Sequence, residues 1–259
     1  MILGIIPARY GSTRFPGKPL ADIGGKPMIQ WVLEGAAQSQ RLDAVVVATD
    51  DERIAEVVRR LGYMAVMTRT DHPTGTDRCW EAYEQVVRHG LVDNLQSDGS
   101  AADYVVNIQG DEPFLDPAQI DELAAILDGT VELATQMTPV ESAELLHNPA
   151  EAKIILNAQS EALYFSRQPI PYLRGVDLAH WHEQYPYYRH VGLYAYRADV
   201  LGRITQLPPS PLERAESLEQ LRWIEAGYRI KLVPTTYQSL AVDSPGDIAA
   251  VLAARNRPA

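Results

Sequence analysis

Basic residues, hydroxyl groups and glycines are concentrated in one stretch near the start of the chain, PARYGSTRFPGKPL at 7–20. This stretch follows the apolar run 2–6, which is too short for an amphipathic helix and fits a strand buried on both faces. A loop of small residues lets backbone N–H groups approach an anion, and Arg9, Arg14 and Lys18 supply positive charge. The pattern predicts a phosphate-binding loop at the carboxyl end of a central strand.

The loop is not a Walker A motif, because Ser12 stands in place of the first glycine and Pro19 in place of the hydroxyl residue. The glycine pattern G-x-G-x-x-G of dinucleotide-dependent dehydrogenases is also missing after the first strand. An ordinary solvated basic loop remains the structural alternative.

Two aspartates are candidates for a metal site. Asp111 follows the strand predicted over 104–108, although it also fits a turn before Pro113. Asp243 precedes Ser244 and Asp247, which fit the cap and third residue of the last helix and leave Asp243 without a capping role. Two carboxylates at strand ends that face a triphosphate suit Mg2+, which prefers carboxylate, phosphate and water oxygens.

The motif HPTGTDR at 72–78 has two interpretations. Thr74 and Asp77 are spaced as a capping box, so the motif can simply start a helix. Gly75 would also let the chain approach a ligand closely, and helix N-termini suit anions.

A polar pocket is predicted in the second half of the chain. In RHVGLYAYR at 189–197, the period of two places His190 and Tyr194 on one strand face. Arg167, at the end of another strand, can hold a carboxylate with two hydrogen bonds. A satisfied core histidine and a surface ion pair of the arginine are the alternatives.

Glu219 and Gln220 lie on a helix predicted over 211–226 that is apolar all round, so both side chains should be partly buried. A buried acid needs a partner, and a polyhydroxylated ligand would be one. An internal salt bridge to Arg222 or Arg214 is the alternative.

Strands and helices alternate in the first half of the chain, which predicts an α/β fold with a mostly parallel sheet. Strands are predicted at 2–6, 44–48, 64–67 and 104–108, and helices at 27–38, from about 52 to 61, at 76–89 and from 117. Further strands at 131–138, 153–157, 161–166 and 190–197 would add to the same sheet, in antiparallel orientation. The polar segment 90–103 is predicted as a surface loop.

Composition limits the possible partners. The chain has 259 residues, 46% of them hydrophobic, and a net charge of −11, which disfavours nucleic acid and anionic membranes. Cys79 is the only cysteine, and the sequence contains neither a membrane-length apolar run nor a signal peptide. We therefore expect a cytoplasmic protein with one domain.

Several motifs together resemble the family of 3-deoxy-manno-octulosonate (Kdo) cytidylyltransferases. They are the loop at 7–20, ATDDERIAEV (48–57), MTRTDHPTGTDR (67–78), VVNIQGDEP (105–113), ALYFSRQPIPY (162–172), RHVGLYAYR (189–197), PSPLERAESLEQLRW (209–223) and VDSPGDI (242–248). The stretch NPAEAKII departs from the family pattern at Glu151 and Ala152. The resemblance extends over almost the whole chain.

This resemblance implies a Rossmann-like nucleotidyltransferase fold, with a nucleotide-binding part over about 1–130 and a sugar-binding and dimerisation part over about 131–259. It implies that CMP is transferred from CTP to Kdo, with pyrophosphate as the second product, for lipopolysaccharide biosynthesis. The alternatives are the same reaction on 8-amino-Kdo or sialic acid, and a nucleotide-binding protein without catalysis. The aromatic segment 168–189 is expected to form a homodimer interface.

The resemblance also assigns site residues. Arg14, Lys18 and Asp111 would be catalytic, and Asp111 and Asp243 would bind Mg2+. The nucleotide would contact Pro7, Ala8, Arg9, Ser12, Arg14, Lys18, Thr74, Gly75, Thr76 and Gln109. The 2-keto-3-deoxy sugar acid would contact Arg167, His190, Tyr194, Glu219 and Gln220.

Overall fold

The structure, a computed structural model, describes residues 1–12, 14–92, 103–237 and 240–255. The strands are β1 (Ile2–Ala8), β2 (Ala44–Thr49), β3 (Met64–Met67), β4 (Tyr104–Asn107), β5 (Leu133–Pro139), β6 (Lys153–Leu156), β7 (Ala162–Ser166), β8 (Tyr188–Arg197) and β9 (Ile230–Pro234). The helices are α1 (Met28–Ala36), α2 (Glu52–Arg60), α3 (Gly75–Arg88), α4 (Pro117–Ala124), α5 (Ala143–His147), α6 (Trp181–Gln184), α7 (Ala198–Ile204), α8 (Pro211–Glu216), α9 (Gln220–Glu225) and α10 (Asp247–Arg255). The surface loop predicted over 90–103 falls mainly on 93–102, outside the described residues.

The nine strands of the described chain form one mixed sheet, with the order β3-β2-β1-β4-β8-β5-β9 along its main path. Of the strands on this path, only β8 is antiparallel to its neighbours; the other six run in one direction. β6 and β7 form an antiparallel pair attached to β8. The predicted Rossmann-like α/β fold with a mixed, mostly parallel sheet is confirmed.

Both faces of the sheet are covered by helices, as the buried apolar strands predicted. Val46 faces one hydrophobic core and the next residue, Val47, faces the other, because successive side chains of a strand point to opposite sides. α3 and α7 belong to the first core, and α1, α2 and α4 to the second. Ile54 and Val58 of α2 are fully buried, so this helix packs on the sheet through an apolar face.

Some predicted boundaries were wrong. β1 does not end before Pro7 but continues to Ala8, which pairs with Thr49 of β2. The single helix predicted over 211–226 is divided into α8 and α9, because Ser217 adopts a left-handed backbone conformation with φ 53° and ψ 48°. The strand β9 was not predicted.

Helix starts behave as their sequences predicted. In the capping box of α3, the Thr74 hydroxyl accepts a hydrogen bond from the Asp77 amide, and the Asp77 carboxylate accepts one from the Thr74 amide. Before α10, the Asp247 carboxylate accepts hydrogen bonds from the backbone amides of Asp243 and Ser244. The Asp243 side chain is therefore left for another role.

Within the described ranges, no helix combines the length and apolar character needed to cross a bilayer.

The aromatic segment 168–189 packs largely on itself. Trp181 and Tyr187 stack with an angle of 4° between their ring planes and are only 3% and 2% exposed. Both rings are therefore covered within a single chain, so the homodimer interface expected on this segment would not be formed by them. Tyr172 is 73% exposed and Leu178 is 53% exposed, so some apolar surface remains on this segment.

Candidate active site

A cleft of about 320 Å³ opens at the carboxyl ends of β1 and β4, where the pairing of these two strands stops. Its walls come from the loop after β1, the start of α3, the segment after β4 and the segment before α10. The lining residues are Pro7, Ala8, Arg9, Ser12, Arg14, Lys18, Pro19, His72, Pro73, Thr74, Gly75, Arg78, Gln109, Gly110, Asp111 and Asp243. Every predicted nucleotide-site residue except Thr76 lies in this lining.

The basic loop closes on its own backbone. The Tyr10 carbonyl accepts hydrogen bonds from the amides of Ser12 and Gly17, both at 2.9 Å. Gly17 adopts φ +71°, a left-handed conformation that glycine tolerates without a steric penalty. The chain turns there into a single 3-10 turn that starts at Lys18. This fold holds the loop at the rim of the cleft.

The two predicted metal-binding aspartates meet in the cleft. The Lys18 ammonium lies 2.8 Å from Oδ2 of Asp111 and 3.8 Å from Oδ1 of Asp243, and Arg14 lies 3.0 Å from that same Asp243 oxygen. A backbone hydrogen bond from Val242 to the Asp111 carbonyl joins the two acidic segments. Two cations and two carboxylates therefore form one charge cluster.

Gly110 allows β1 and the segment after β4 to come together at this cluster. A Cβ atom at position 110 would stand 2.8 Å from the carbonyl oxygen of Pro7, closer than real Cβ contacts. At Gly75, a Cβ atom would reach only ordinary contact, 3.5 Å from the Pro7 ring. The chain therefore requires glycine at 110, whereas glycine at 75 leaves open space beside Pro7.

A second cavity, of about 210 Å³, adjoins the cleft and shares Pro7, Gly75 and Gln109 with it. The other lining residues are Thr76, Asn107, Tyr194, Tyr196, Glu219, Gln220 and Trp223. Three of the five predicted sugar-site residues are among them. The side chain of Gln109 also donates a hydrogen bond of 2.8 Å to the Gly192 carbonyl, which ties the shared wall to β8.

Polar atoms without a hydrogen-bond partner concentrate around the second cavity. In the part of the chain that the structure describes, five buried atoms without a partner belong to residues that line this cavity. They are Asn107 Oδ1, the hydroxyl oxygens of Tyr194 and Tyr196, Gln220 Nε2 and Trp223 Nε1. Leaving one such group unpaired costs about 1 to 3 kcal/mol. This arrangement suits a polar ligand that would offer several hydrogen bonds at once.

Glu219 adds a carboxyl group to the same cavity. Burial raises the pKa of Glu219 to about 7. Its Oε1 atom lies 3.3 Å from the hydroxyl of Thr74, which lines the neighbouring cleft. The side chain therefore stands where the two cavities meet.

Comparison with known proteins identifies the family. The family model described as cytidylyltransferase matches residues 3–230, most of the chain. The chain belongs to the cytidylyltransferase family.

Similar proteins extend over nearly the whole cytidylyltransferase chain. A 3-deoxy-manno-octulosonate cytidylyltransferase of Cytophaga hutchinsonii is 49% identical and covers 95% of this chain and 94% of its own. A protein of the same name from Nitratidesulfovibrio vulgaris is 47% identical, with 96% and 94% covered. A solved structure of CMP:2-keto-3-deoxy-manno-octonic acid synthetase complexed with CTP has a TM-score of 0.85, 42% identity and 98% of each chain covered.

Two predicted sugar-site residues do not line either cavity of this cytidylyltransferase. The Arg167 guanidinium donates to backbone carbonyls: 2.7 Å to Glu216, 3.0 Å to Pro149 and 3.2 Å to Ser217. These carbonyls belong to the segment after α5 and to the end of α8, and Arg167 lines neither cavity. The geometry therefore gives Arg167 a structural role and does not support its prediction as a sugar ligand.

His190 lies behind the second cavity. Its ring packs 5.2 Å from that of Tyr194, and its Nε2 atom is 3.2 Å from the Thr135 hydroxyl. Burial lowers the pKa of His190 to about 4, so the ring is neutral at pH 7. In this position the histidine supports a lining residue.

The sequence analysis missed several lining residues of this cytidylyltransferase. Arg78 is 3% exposed and donates to the Thr68 hydroxyl at 2.6 Å and to Asp50 at 3.0 Å. The motif HPTGTDR contains both Arg78 and His72, but the sequence analysis assigned its ligand contacts only to Thr74, Gly75 and Thr76. Asn107 and Trp223 lie in the motifs VVNIQGDEP and PSPLERAESLEQLRW but were assigned no role, because each reaches the second cavity through the packing of elements distant in sequence.

Proposed function

We propose that this cytidylyltransferase transfers CMP from CTP to Kdo and releases pyrophosphate. The observation that carries the proposal is the shared wall of Pro7, Gly75 and Gln109 between a charged cleft and a cavity lined by unpaired polar groups. A triphosphate fits the first and a polyhydroxylated sugar acid fits the second, so the reacting groups would meet at this wall. Relatives named for this activity support the choice of substrates.

In the proposed complex, CTP occupies the cleft. Arg9, Arg14 and Lys18 would bind the phosphates together with loop N–H groups, because anions are stabilised by oriented backbone amides and basic side chains. The open space at Gly75 would receive the ribose or base, next to Thr74. Pro7, Ala8, Ser12 and Gln109 complete the nucleotide contacts that we propose, and Thr76 would contact the substrates from the second cavity.

The donor atoms of the charge cluster suit Mg2+. Asp111 and Asp243 already face one cation, the ammonium of Lys18. Among the described residues, no group of three or more His, Cys, Asp or Glu side chains could hold a metal alone, so phosphate and water oxygens would complete the coordination. When bound, Mg2+ would supply charge stabilisation to the triphosphate.

The sugar acid would occupy the second cavity, with hydroxyls that pair with Tyr194, Gln220 and Glu219. In the reaction, the anomeric hydroxyl loses its proton to solvent and its oxygen bonds to the α-phosphorus. The bond from that phosphorus to the oxygen it shares with the β-phosphate breaks, and pyrophosphate leaves. The protein contributes orientation and charge stabilisation, which are the main contributions to phosphoryl transfer. Arg14 and Lys18 would hold the departing pyrophosphate.

The two sequence parts, about 1–130 and 131–259, would cooperate rather than act separately. Asp243 from the second part lines the nucleotide cleft, and Asn107 from the first part lines the sugar cavity. We also propose that the protein is cytoplasmic, because its single cysteine suits a reducing compartment. We propose that it forms a homodimer, supported by the exposed Tyr172 and Leu178 on the segment 168–189. A monomer in light scattering at micromolar concentration would contradict the dimer.

The proposal is tested by pyrophosphate release from a panel of nucleotides and sugar acids in the presence of Mg2+. With Kdo, release from CTP should be much faster than from ATP or GTP. With CTP, Kdo should be preferred to sialic acid, because a site built for one set of hydroxyls leaves its own groups unpaired with another. Equal rates with a purine nucleotide, or faster release with sialic acid, would overturn the proposal.

A further inference from the structure

Tyr10 is the residue on which the basic loop closes, although it does not line the cleft. Its carbonyl holds both the Ser12 and the Gly17 amides. Its own amide lies 3.4 Å from Oδ1 of Asp50, at the end of β2. The loop shape therefore depends on where Tyr10 is held.

The ring of Tyr10 is held between two neighbours. The guanidinium carbon of Arg53 lies 3.4 Å from the ring centroid. The ring also contacts Gly17, where a Cβ atom would stand 3.0 Å from a ring carbon. Gly17 immediately precedes Lys18, so this contact ends at a residue that faces both aspartates.

The guanidinium of Arg53 is itself oriented. Two parallel hydrogen bonds reach the Asp51 carboxylate, Nε to Oδ1 at 2.8 Å and Nη2 to Oδ2 at 2.6 Å. Asp51 also caps α2 by accepting from the Arg53 amide. A bidentate pair fixes the plane of a guanidinium, as stacking on an aromatic ring requires.

We infer that Arg53, which lies outside the cleft, is a positioning residue. It fixes the Tyr10 ring against Gly17 and so holds the basic loop in the shape that binds phosphate. The inference rests on the proposed function only for its effect on CTP. The effect on the loop itself follows from the contacts in the free protein. A cation over an aromatic ring gives a modest but directional attraction. An attraction of this size can change how often the loop leaves its folded shape.

The first measurement is hydrogen exchange in the free protein, which does not depend on any substrate. Arg53→Ala should make the backbone amides of 9–20 exchange about fivefold faster, in line with the strength of an exposed cation–π contact. Arg59→Ala is the matched control, since Arg59 is also an exposed arginine of α2 in an ion pair with a neighbouring acid. Unchanged exchange in Arg53→Ala, or equal acceleration in the control, would overturn the inference.

The second measurement is CTP affinity by calorimetry, with kinetics for both substrates. Arg53→Ala should raise the Kd and KM for CTP about fivefold, while the KM for Kdo and the unfolding temperature stay near those of the parent. A change in unfolding temperature without a change in CTP affinity would mean a merely structural role and overturn the inference. If the parent protein does not bind CTP, the proposed function fails while the exchange measurement still decides the inference.

Tyr10 variants show whether the ring transmits the effect. Tyr10→Phe keeps the ring and should behave like the parent, whereas Tyr10→Leu should exchange faster over 9–20. In the Tyr10→Leu background, Arg53→Ala should cause no further change. An equal further loss of CTP affinity in that background would mean that the Arg53 charge acts directly on the phosphates, and would overturn the inference.

Discussion

Glu219→Gln tests whether the side chain of Glu219 is buried in the second cavity as strongly as its surroundings indicate. Burial raises the pKa of Glu219 from 4.5 to about 7. Between these two pH values the native protein keeps a proton that the unfolded chain has lost. The free energy of unfolding that Glu219 contributes is therefore fully present below about pH 4.5 and is lost as the pH rises through 7.

The size of the effect follows from the shift. A shift from 4.5 to about 7 corresponds to about 3 kcal/mol at most, since each pKa unit is worth about 1.4 kcal/mol. Glutamine has nearly the same shape and cannot ionise. The stability of Glu219→Gln relative to the parent should therefore increase by about 3 kcal/mol between pH 4.5 and pH 8.

The assay is urea unfolding of both proteins at several pH values from 4.5 to 8. Glu56→Gln is the control, because Glu56 is an exposed glutamate on α2. Its stability difference from the parent should stay nearly constant with pH. If the difference between Glu219→Gln and the parent is also constant with pH, Glu219 is solvated and the reasoning about the second cavity is refuted.

Four further substitutions test the site. Asp111→Asn and Asp243→Asn should each reduce pyrophosphate release by orders of magnitude at limiting Mg2+ with a similar unfolding temperature; near-parental turnover in either would exclude that residue as a ligand. Gly110→Ala should lower both turnover and the free energy of unfolding, because its Cβ would meet the Pro7 carbonyl, and parental values in both assays would contradict that. Arg167→Ala should lower the free energy of unfolding in urea by about 1 to 3 kcal/mol, since carbonyls lose their donor, with the KM for Kdo within twofold. A much higher KM at parental stability would restore Arg167 as a sugar ligand.

The charged cleft was the part of the candidate site that sequence could predict. Its residues lie in contiguous motifs at strand ends, and parallel strands bring such ends to one edge of a sheet. Asp243 was identified because Ser244 and Asp247 already accounted for the helix cap. These residues could therefore be recognised from short motifs, and the parallel strands place those motifs side by side in the fold.

The second cavity was predicted less completely. Tyr194 was found from the strand period, but Trp223 lies on α9, which the break at Ser217 separates from α8 in place of the single helix predicted. A left-handed serine has no reliable sequence signal. Arg167 was assigned from the charge it could offer, whereas in the fold that charge is taken up by nearby backbone carbonyls.

The aromatic segment 168–189 shows a similar limit. Its composition indicated an apolar surface, but composition does not tell whether Trp181 and Tyr187 cover each other or another chain. In the fold they stack together with Val140 and Leu146 into a small core. Only the exposed remainder, including Tyr172, is left for a partner.

The most direct test of the proposed function is to identify the product by mass spectrometry. Protein incubated with CTP, Kdo and Mg2+ should yield CMP-Kdo and one pyrophosphate for each CTP consumed. Replacing Kdo by sialic acid, or CTP by ATP, should leave the nucleotide largely unchanged over the same time. Absence of CMP-Kdo from the complete mixture, or more product from sialic acid than from Kdo, would contradict the proposed function.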